Sequence, residues 1–269
     1  MILALSPSRA RRLTAVAGAV ALIAAACSAP MGPAPSFTPQ PTLPPTAMPY
    51  TLAPAPSGCP TTAPDAMPAN TTATVTMHTN YGDIVIKVEA NLGPHAAGAF
   101  LALARCGYYN NVVFHRVIKG FMIQAGDGQY ARLPSPQTDR MGQGGPSWTI
   151  LDDPVPTTTG DPYPRGTLAI ANTGCLNSGS SQFFIVMAAD TGLSTTHAST
   201  CPAEQPSPSS TATAGPAAGY AIFGHVTTGM DVADKIANLP VGGYDAAGGG
   251  IGSIPEVPVV ITGTTVSTP

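Results

Sequence analysis

The sequence predicts a mainly β domain, a closed antiparallel barrel with two α-helices, over residues 71–269. Three observations support this prediction: short β-branched runs recur along the chain, turn residues separate them, and only two segments have helical periodicity. A doubly wound sheet would need a helix between successive parallel strands. Many short strands with few helices favour a barrel, and about two hundred residues suffice for one domain with its own core.

The first elements of this domain are a hairpin and a helix. Residues 73–79 and 84–88 are rich in β-branched side chains, and 80–83 between them has the composition of a turn. Pro94 then begins an apolar-periodic stretch that stops near Gly107. Proline at the first helical position and glycine after the last one are typical of an amphipathic helix.

The remaining elements follow the same two patterns. Residues 112–118 and 183–187 have the apolar, β-branched and aromatic composition of strands. Residues 230–239 have helical periodicity, and 257–266 predict the closing strand of the barrel.

The N-terminus has the pattern of an export signal. Three arginines precede the uncharged apolar run 13–26, which is too short to span a bilayer comfortably. Small residues come directly before Cys27, as at a bacterial lipoprotein cleavage and lipidation site. The alternative is an ordinary signal peptide cut near Ala26 or Ala29. We therefore expect an extracytoplasmic protein, anchored to the cell membrane by lipidated Cys27 or otherwise secreted.

Residues 27–70 combine the lipidation site with a predicted linker. The stretch 28–70 contains 13 of the 30 prolines, and its only charged residue is Asp65. Proline fixes φ and removes a hydrogen-bond donor, and little apolar surface is present to offset the cost of ordering. We expect this segment to be extended and unpacked. A proline-rich ligand for a groove-binding partner is the alternative.

Charge excludes one class of partner. The chain carries a formal net charge of −3, and loss of the signal with its three basic residues brings it to −6. An acidic domain without a basic stripe argues against nucleic acid binding. We expect a monomer whose only membrane contact is the lipid anchor.

The cysteines fit an exported protein. Setting Cys27 aside leaves four, which allow two disulfides in three connectivities. Candidate pairs are Cys106 with Cys175, or Cys59 with Cys201. No cysteine pair has zinc-site spacing, and the five histidines are scattered, so we expect no metal and no cofactor.

The most informative motifs lie in the middle of the domain. They are FHR at 114–116, GFMIQ at 120–124, AN at 171–172, QFF at 182–184 and FG at 223–224. One arginine and a few amides among aromatics suit the binding of an apolar ring beside a peptide bond. The order and spacing of these motifs resemble the cyclophilin family of peptidyl-prolyl isomerases over nearly all of 71–266. The resemblance implies an eight-stranded closed barrel capped by two helices.

The chemistry of that family explains the residue types. Rotating an X–Pro bond breaks amide conjugation, and the prolyl nitrogen becomes pyramidal and able to accept a hydrogen bond. A fixed arginine aimed at that nitrogen stabilises the twisted state more than the planar one. The resemblance implies Arg116 in this role, supported by Gln124, Asn172 and Gln182. It implies contacts with the proline-containing polypeptide substrate by Phe121, Met122, Ala171, Phe184, Leu193 and Tyr220.

Two departures and one alternative accompany the resemblance. The loop between Asn172 and Gln182 is one residue longer than the usual family form, and 194–219 is a low-complexity insertion beside the pocket. The alternative is a non-catalytic proline-peptide binding module or chaperone with the same fold. Retention of Arg116 favours the isomerase, because binding a planar X–Pro bond does not require it. A serine hydrolase is disfavoured, since no Gly-x-Ser-x-Gly elbow surrounds Ser180 or Ser181.

Overall fold

Eleven strands and two helices make up the described part of the chain, which comprises residues 56–156, 161–189, 191, 193, 219–243 and 252–268. In this computed structural model the strands are β1 Thr72–Thr79, β2 Gly82–Glu89, β3 Val112–Val113, β4 Arg116–Ile118, β5 Met122–Ala125, β6 Thr167–Ile170, β7 Phe183–Val186, β8 Ile222–Thr228, β9 Val241–Gly242, β10 Ile254–Pro255 and β11 Val260–Ser267. The helices are α1 Pro94–Arg105 and α2 Met230–Ala237.

The predicted hairpin and helices are confirmed. β1 and β2 pair from Thr72 opposite Glu89 to Thr79 opposite Gly82. Alternate residues of both strands are buried, so one face of the hairpin covers the core. Helix α1 begins at Pro94 as predicted, and α2 covers most of the predicted 230–239 segment.

Nine strands form one curled antiparallel sheet in the order β3-β11-β1-β2-β8-β6-β7-β5-β4. The short strands β9 and β10 pair separately. The mainly β class and the two helices agree with the sequence prediction, but a closed eight-stranded barrel is not what the described strands form. The two edge strands, β3 and β4, are not paired with each other.

The reason for the open edge lies in the segment predicted as one strand, 112–118. Its first part, β3, pairs with β11, and its second part, β4, pairs with β5. Phe114 and His115 lie between them and donate backbone N–H bonds to Val259 and Gln124. The two edge strands, β3 and β4, are therefore successive parts of one extended segment. Successive parts of an extended segment cannot hydrogen-bond to each other, so these two edges stay unpaired.

Aromatic rings fill the interior of the curled sheet. Phe100 of α1 has its ring centroid 5.3 Å from that of Phe183 and 4.9 Å from that of Phe223. Tyr109 lies 5.4 Å from Phe100, also centroid to centroid. All four side chains are fully buried. Helix α1 thus closes one end of the sheet through ring contacts within the usual range of aromatic pairs.

The described part of the predicted linker, residues 56–70, is packed on the domain. Met67 is buried, and its N–H donates to the Pro94 carbonyl at 2.8 Å. The Nε1–H of Trp148 donates to the Pro60 carbonyl at 3.0 Å. The ordered domain therefore starts before the predicted boundary at residue 71. We call residues 56–70 the N-terminal strap.

A disulfide anchors this strap. Cys59 is bonded to Cys106, just after α1, with a Cα–Cα distance of 5.1 Å. Both predicted pairings, Cys106 with Cys175 and Cys59 with Cys201, were wrong, because the packed strap brings Cys59 to the end of α1. Cys175 is also disulfide-bonded.

Several predictions lie outside the described residues. These are the signal peptide 1–26, Cys27, the linker up to residue 55, Cys201 and the insertion 194–219 apart from Gly219. Within the described ranges, no helix is both long and apolar enough to span a bilayer.

Candidate active site

A cleft of about 990 Å³ lies on the outer side of the sheet, beside β4, β5 and β7. All ten predicted site residues line it, together with residues of 142–149 and 173–180. The ten are Arg116, Phe121, Met122, Gln124, Ala171, Asn172, Gln182, Phe184, Leu193 and Tyr220.

Strand register brings the key side chains together. Arg116 of β4 lies opposite Gln124 of β5, and Gln124 lies opposite Phe184 of β7. Directly opposed residues have Cβ atoms about 4.5–5.5 Å apart, so these three side chains form one row across three strands. Met122, two residues before Gln124, points to the same face. Strands thus position these four side chains.

An apolar pocket forms one end of the cleft. Met122 and Phe184 are buried there, and Phe121, Leu193 and Tyr220 pack against them. The Tyr220 ring meets Phe184 edge to face, at a centroid distance of 5.1 Å and an interplanar angle of 87°. The pocket therefore presents ring edges, a ring face and a thioether, which suit a compact apolar ring.

Tyr163 holds Tyr220 in place. Its hydroxyl accepts from the Tyr220 N–H and donates to the Tyr220 carbonyl, both at 3.0 Å. Tyr163 is fully buried. Sequence reasoning missed this residue, and a separation of 57 residues leaves no local pattern that could have found it.

A line of amides connects the pocket to the cleft rim. Arg116 Nη1 donates to Gln124 Oε1 at 3.4 Å, and Gln124 Nε2 donates to Gln182 Oε1 at 3.0 Å. Gln182 Nε2 donates to the carbonyls of Gly142 and Gly144, at 3.0 and 2.8 Å. We call this chain of hydrogen bonds the amide relay. The glycine-rich 142–145 segment is thus part of the site.

The loop after β6 is held by Asn172. Its Nδ2 donates to the Gly219 carbonyl at 2.9 Å, and its Oδ1 accepts from Gly174 N–H at 3.0 Å. The Ala171 N–H donates to the Gln182 carbonyl at 2.9 Å. Asn172 therefore orders the cleft rim through its side chain, and its contact with a peptide stays a prediction.

The site has one formal charge and a neutral phenol. Arg116 is the only charged side chain among the described residues that line the cleft. Burial raises the pKa of the Tyr220 hydroxyl, and the nearby charge of Arg116 partly opposes this. The hydroxyl is therefore a protonated donor at neutral pH. Across the described ranges, no group of three or more His, Cys, Asp or Glu side chains could hold a metal ion.

Comparison with known proteins shows which family has a sequence like that of this chain. A sequence model described as "Cyclophilin type peptidyl-prolyl cis-trans isomerase/CLD" matches residues 74–266. The chain is a member of the cyclophilin family. It is 34% identical over 193 residues to peptidyl-prolyl cis-trans isomerase B of Escherichia coli (strain K12), covering 72% of this chain and 99% of that protein.

Other relatives of this cyclophilin agree. Peptidyl-prolyl cis-trans isomerase-like 3 of Mus musculus is 33% identical over 168 residues, covering 62% of this chain and 83% of that protein. A crystal structure of a Cryptosporidium parvum cyclophilin type peptidyl-prolyl cis-trans isomerase superposes with a TM-score of 0.51 and 26% identity, over 74% of this chain and 99% of that one. The same protein in the presence of the dipeptide Ala-Pro gives a TM-score of 0.50, 26% identity, and coverage of 73% and 99%. The present cyclophilin is accordingly a peptidyl-prolyl cis-trans isomerase.

Proposed function

We propose that this cyclophilin isomerises X–Pro bonds of exported polypeptides by aiming Arg116 at the twisted amide. The observation that carries the proposal is the Arg116 guanidinium, bonded to Gln124 beside the apolar pocket. A proline ring in that pocket would place its nitrogen near the only charged side chain among the described lining residues. The Cryptosporidium relative described with the dipeptide Ala-Pro supports a proline-containing ligand for this cleft.

The energetics are within reach of such a site. The uncatalysed barrier is about 18–20 kcal/mol, and lowering it by about 7 kcal/mol accelerates rotation about 10⁵-fold. In the planar ground state the prolyl nitrogen has no free lone pair, so Arg116 has no acceptor there. The lone pair develops only as the bond twists, and the interaction therefore lowers the barrier instead of tightening ground-state binding.

The proposed export of this cyclophilin determines which class of substrate it would meet. The Cys59–Cys106 disulfide supports an oxidising compartment, and the uncharged N-terminal run 13–26 supports a signal peptide. We further propose lipidation at Cys27, which would tether a monomeric domain to the membrane. Its substrates would then be proline-containing polypeptides that fold outside the cytoplasm.

The decisive test is an isomerisation assay on Arg116→Ala and Arg116→Lys. Removal of the guanidinium is expected to lower kcat/KM about 10²–10³-fold, as for loss of one transition-state donor. Affinity for a proline peptide should change little, since the pocket is intact. Lysine should restore little activity, because an ammonium lacks the planar fork that Gln124 orients. Peptide isomerisation and proline-limited refolding would both be measured.

Lys119→Ala is the matched control. Lys119 is exposed, carries the same charge and lies three residues from Arg116 without lining the cleft. Its activity should equal that of wild type. Wild-type activity in Arg116→Ala would refute the arginine mechanism. If wild type and Arg116→Ala are both inactive yet bind proline peptides, the binding-module alternative is correct.

A further inference from the structure

Asp127, just after β5, has a fully buried carboxylate that does not line the cleft. Its Oδ1 accepts the backbone N–H groups of Gln129 and Tyr130, at 3.0 and 2.8 Å. Its Oδ2 accepts those of Gly142 and Gly144, at 2.8 and 3.1 Å. Four donors from two segments thus converge on one carboxylate, which joins the end of β5 to the glycine-rich loop.

Such a group is costly unless it is fully hydrogen-bonded, and here both oxygens are satisfied. The backbone at Gly144 also lies very close to the Asp127 carboxylate. A Cβ at Gly144 would lie 2.4 Å from Asp127 Oδ1, so only glycine fits at that position. Removing the carboxylate would leave the loop N–H groups without their acceptor. Asp127 therefore determines where the Gly142 and Gly144 carbonyls lie.

Those carbonyls set the direction of the amide relay. Both can only accept, so Gln182 must turn its NH₂ group towards them and its Oε1 towards Gln124. Gln124 then donates to that oxygen and has its own Oε1 left to face Arg116. With the loop displaced, Gln182 could turn its NH₂ group towards Gln124, and Gln124 would then turn over and bring its own NH₂ group against the guanidinium. Two donors would then face each other, and Arg116 would lose its orientation.

We propose that Asp127 is a positioning residue for Arg116, acting through the glycine loop and the amide relay. The inference rests on the proposed role of Arg116 in isomerisation. It assigns to a buried carboxylate outside the cleft lining the role of keeping the Gln124 acceptor oxygen in front of the catalytic guanidinium.

Asp127→Asn tests this proposal, because asparagine keeps the shape but can offer acceptors to only one of the two segments. The variant should lose about 10–100-fold in kcat, the scale of a misplaced catalytic group. Its dissociation constant for a proline peptide should stay within about twofold of wild type, since the apolar pocket is unchanged. The Arg116 guanidinium resonances in a ¹⁵N spectrum should shift.

Asp139→Asn is the matched control, since Asp139 is exposed on the loop between Asp127 and the glycines and loses the same charge. Its kcat and guanidinium resonances should match those of wild type. The double variant Asp127→Asn, Arg116→Ala completes a cycle. If Asp127 acts only through Arg116, the double variant should be no slower than Arg116→Ala alone.

Gly144→Ala provides an independent variant in case Asp127→Asn does not fold. Its Cβ would lie 2.4 Å from Asp127 Oδ1, so the loop must move away from the carboxylate, and the same kcat loss and the same non-additivity with Arg116→Ala are expected. Losses that add in the double variants, or full activity in Asp127→Asn beside an impaired Arg116→Ala, would overturn the positioning role alone. Full activity in Arg116→Ala would instead overturn the arginine mechanism, and the positioning role with it.

Discussion

At the scale of single residues, Asp152 and Asn177 hold the lengthened loop between Asn172 and Gln182. The Asp152 N–H donates to Asn177 Oδ1, and the Asn177 N–H donates to Asp152 Oδ2, both at 2.8 Å. Asn177 has φ of 55°, a left-handed conformation that asparagine tolerates better than most residues. These two reciprocal hydrogen bonds hold the loop that forms one wall of the cleft.

The Asp152 carboxyl makes stability depend on pH. Burial raises its pKa above the ordinary 3.8, the Asn177 N–H partly opposes this, and the charge of Asp153 adds to it. A raised pKa means that the folded state favours the protonated acid. The stability that protonated Asp152 contributes is complete below pH 3.8, and it is lost as the pH rises through the pKa that Asp152 has in the folded state.

We therefore expect Asp152→Asn to gain stability relative to wild type as the pH rises from acid to neutral. The amide can still accept the Asn177 N–H and has no charge to desolvate. Urea unfolding of both proteins at about pH 4 and pH 7 would measure the difference. Asp139→Asn, on an exposed carboxyl, should show no such trend. A difference that shrinks or stays constant towards neutral pH would contradict the expectation.

At the scale of elements, the N-terminal strap, residues 56–70, links the disulfide to the cleft. Cys59 fastens the strap to the end of α1, and the Pro60 carbonyl next to it accepts from Trp148. Trp148 lines the cleft and is the only tryptophan in the chain. Its fluorescence therefore reports how well the strap supports the cleft wall.

Replacing Cys59 and Cys106 together by alanine should lower the free energy of unfolding by about 2–4 kcal/mol, since the bond restricts the unfolded chain. Release of the strap should expose Trp148 and shift its emission to longer wavelength. Thermal melting and emission spectra would measure both effects. Reduced wild type, in which the Cys175 bond is broken as well, should shift at least as far, and an unchanged melting temperature in the double variant would contradict the prediction.

Prediction of elements succeeded where alternation or aromatic and β-branched composition marks a strand, as in the hairpin and β7, and it missed β5 and β6. The alternation of buried and exposed residues in β1 and β2 makes the hairpin readable. All residues of β5 and β6 are buried, so these strands carry no period that could have predicted them individually.

The N-terminus of α1 has no side-chain cap from a residue near it in the sequence. The carboxylate of Asp153 caps it by accepting from His95 and Ala96.

At the scale of the whole molecule, the proposed lipidation of Cys27 would determine where the isomerase acts. If Cys27 is lipidated, wild type expressed in a bacterium with lipoprotein processing should be found in the membrane fraction. Cys27→Ser should move to the soluble extracytoplasmic fraction, because it lacks the thiol that would carry the lipid anchor. Fractionation with immunoblotting would measure this. Isomerase activity of the released variant serves as the folding control.

The alternative predicts a different result. An ordinary signal peptide cut near Ala26 or Ala29 would leave wild type and Cys27→Ser equally soluble, with a free N-terminus. The mass of the mature protein distinguishes the two, since a lipidated cysteine adds acyl chains to the polypeptide.

The sequence by itself was sufficient for the family, the hairpin, α1 and the ten residues of the cleft. Motif order and local periodicity encode which residues belong to the site and which faces are buried. Tertiary structure alone decided the meeting of the sheet edges at Phe114 and His115, the Cys59–Cys106 bond and the place of Asp127 behind the amide relay. These depend on contacts between residues far apart in the chain, and local sequence carries no information about which distant partner will pack there.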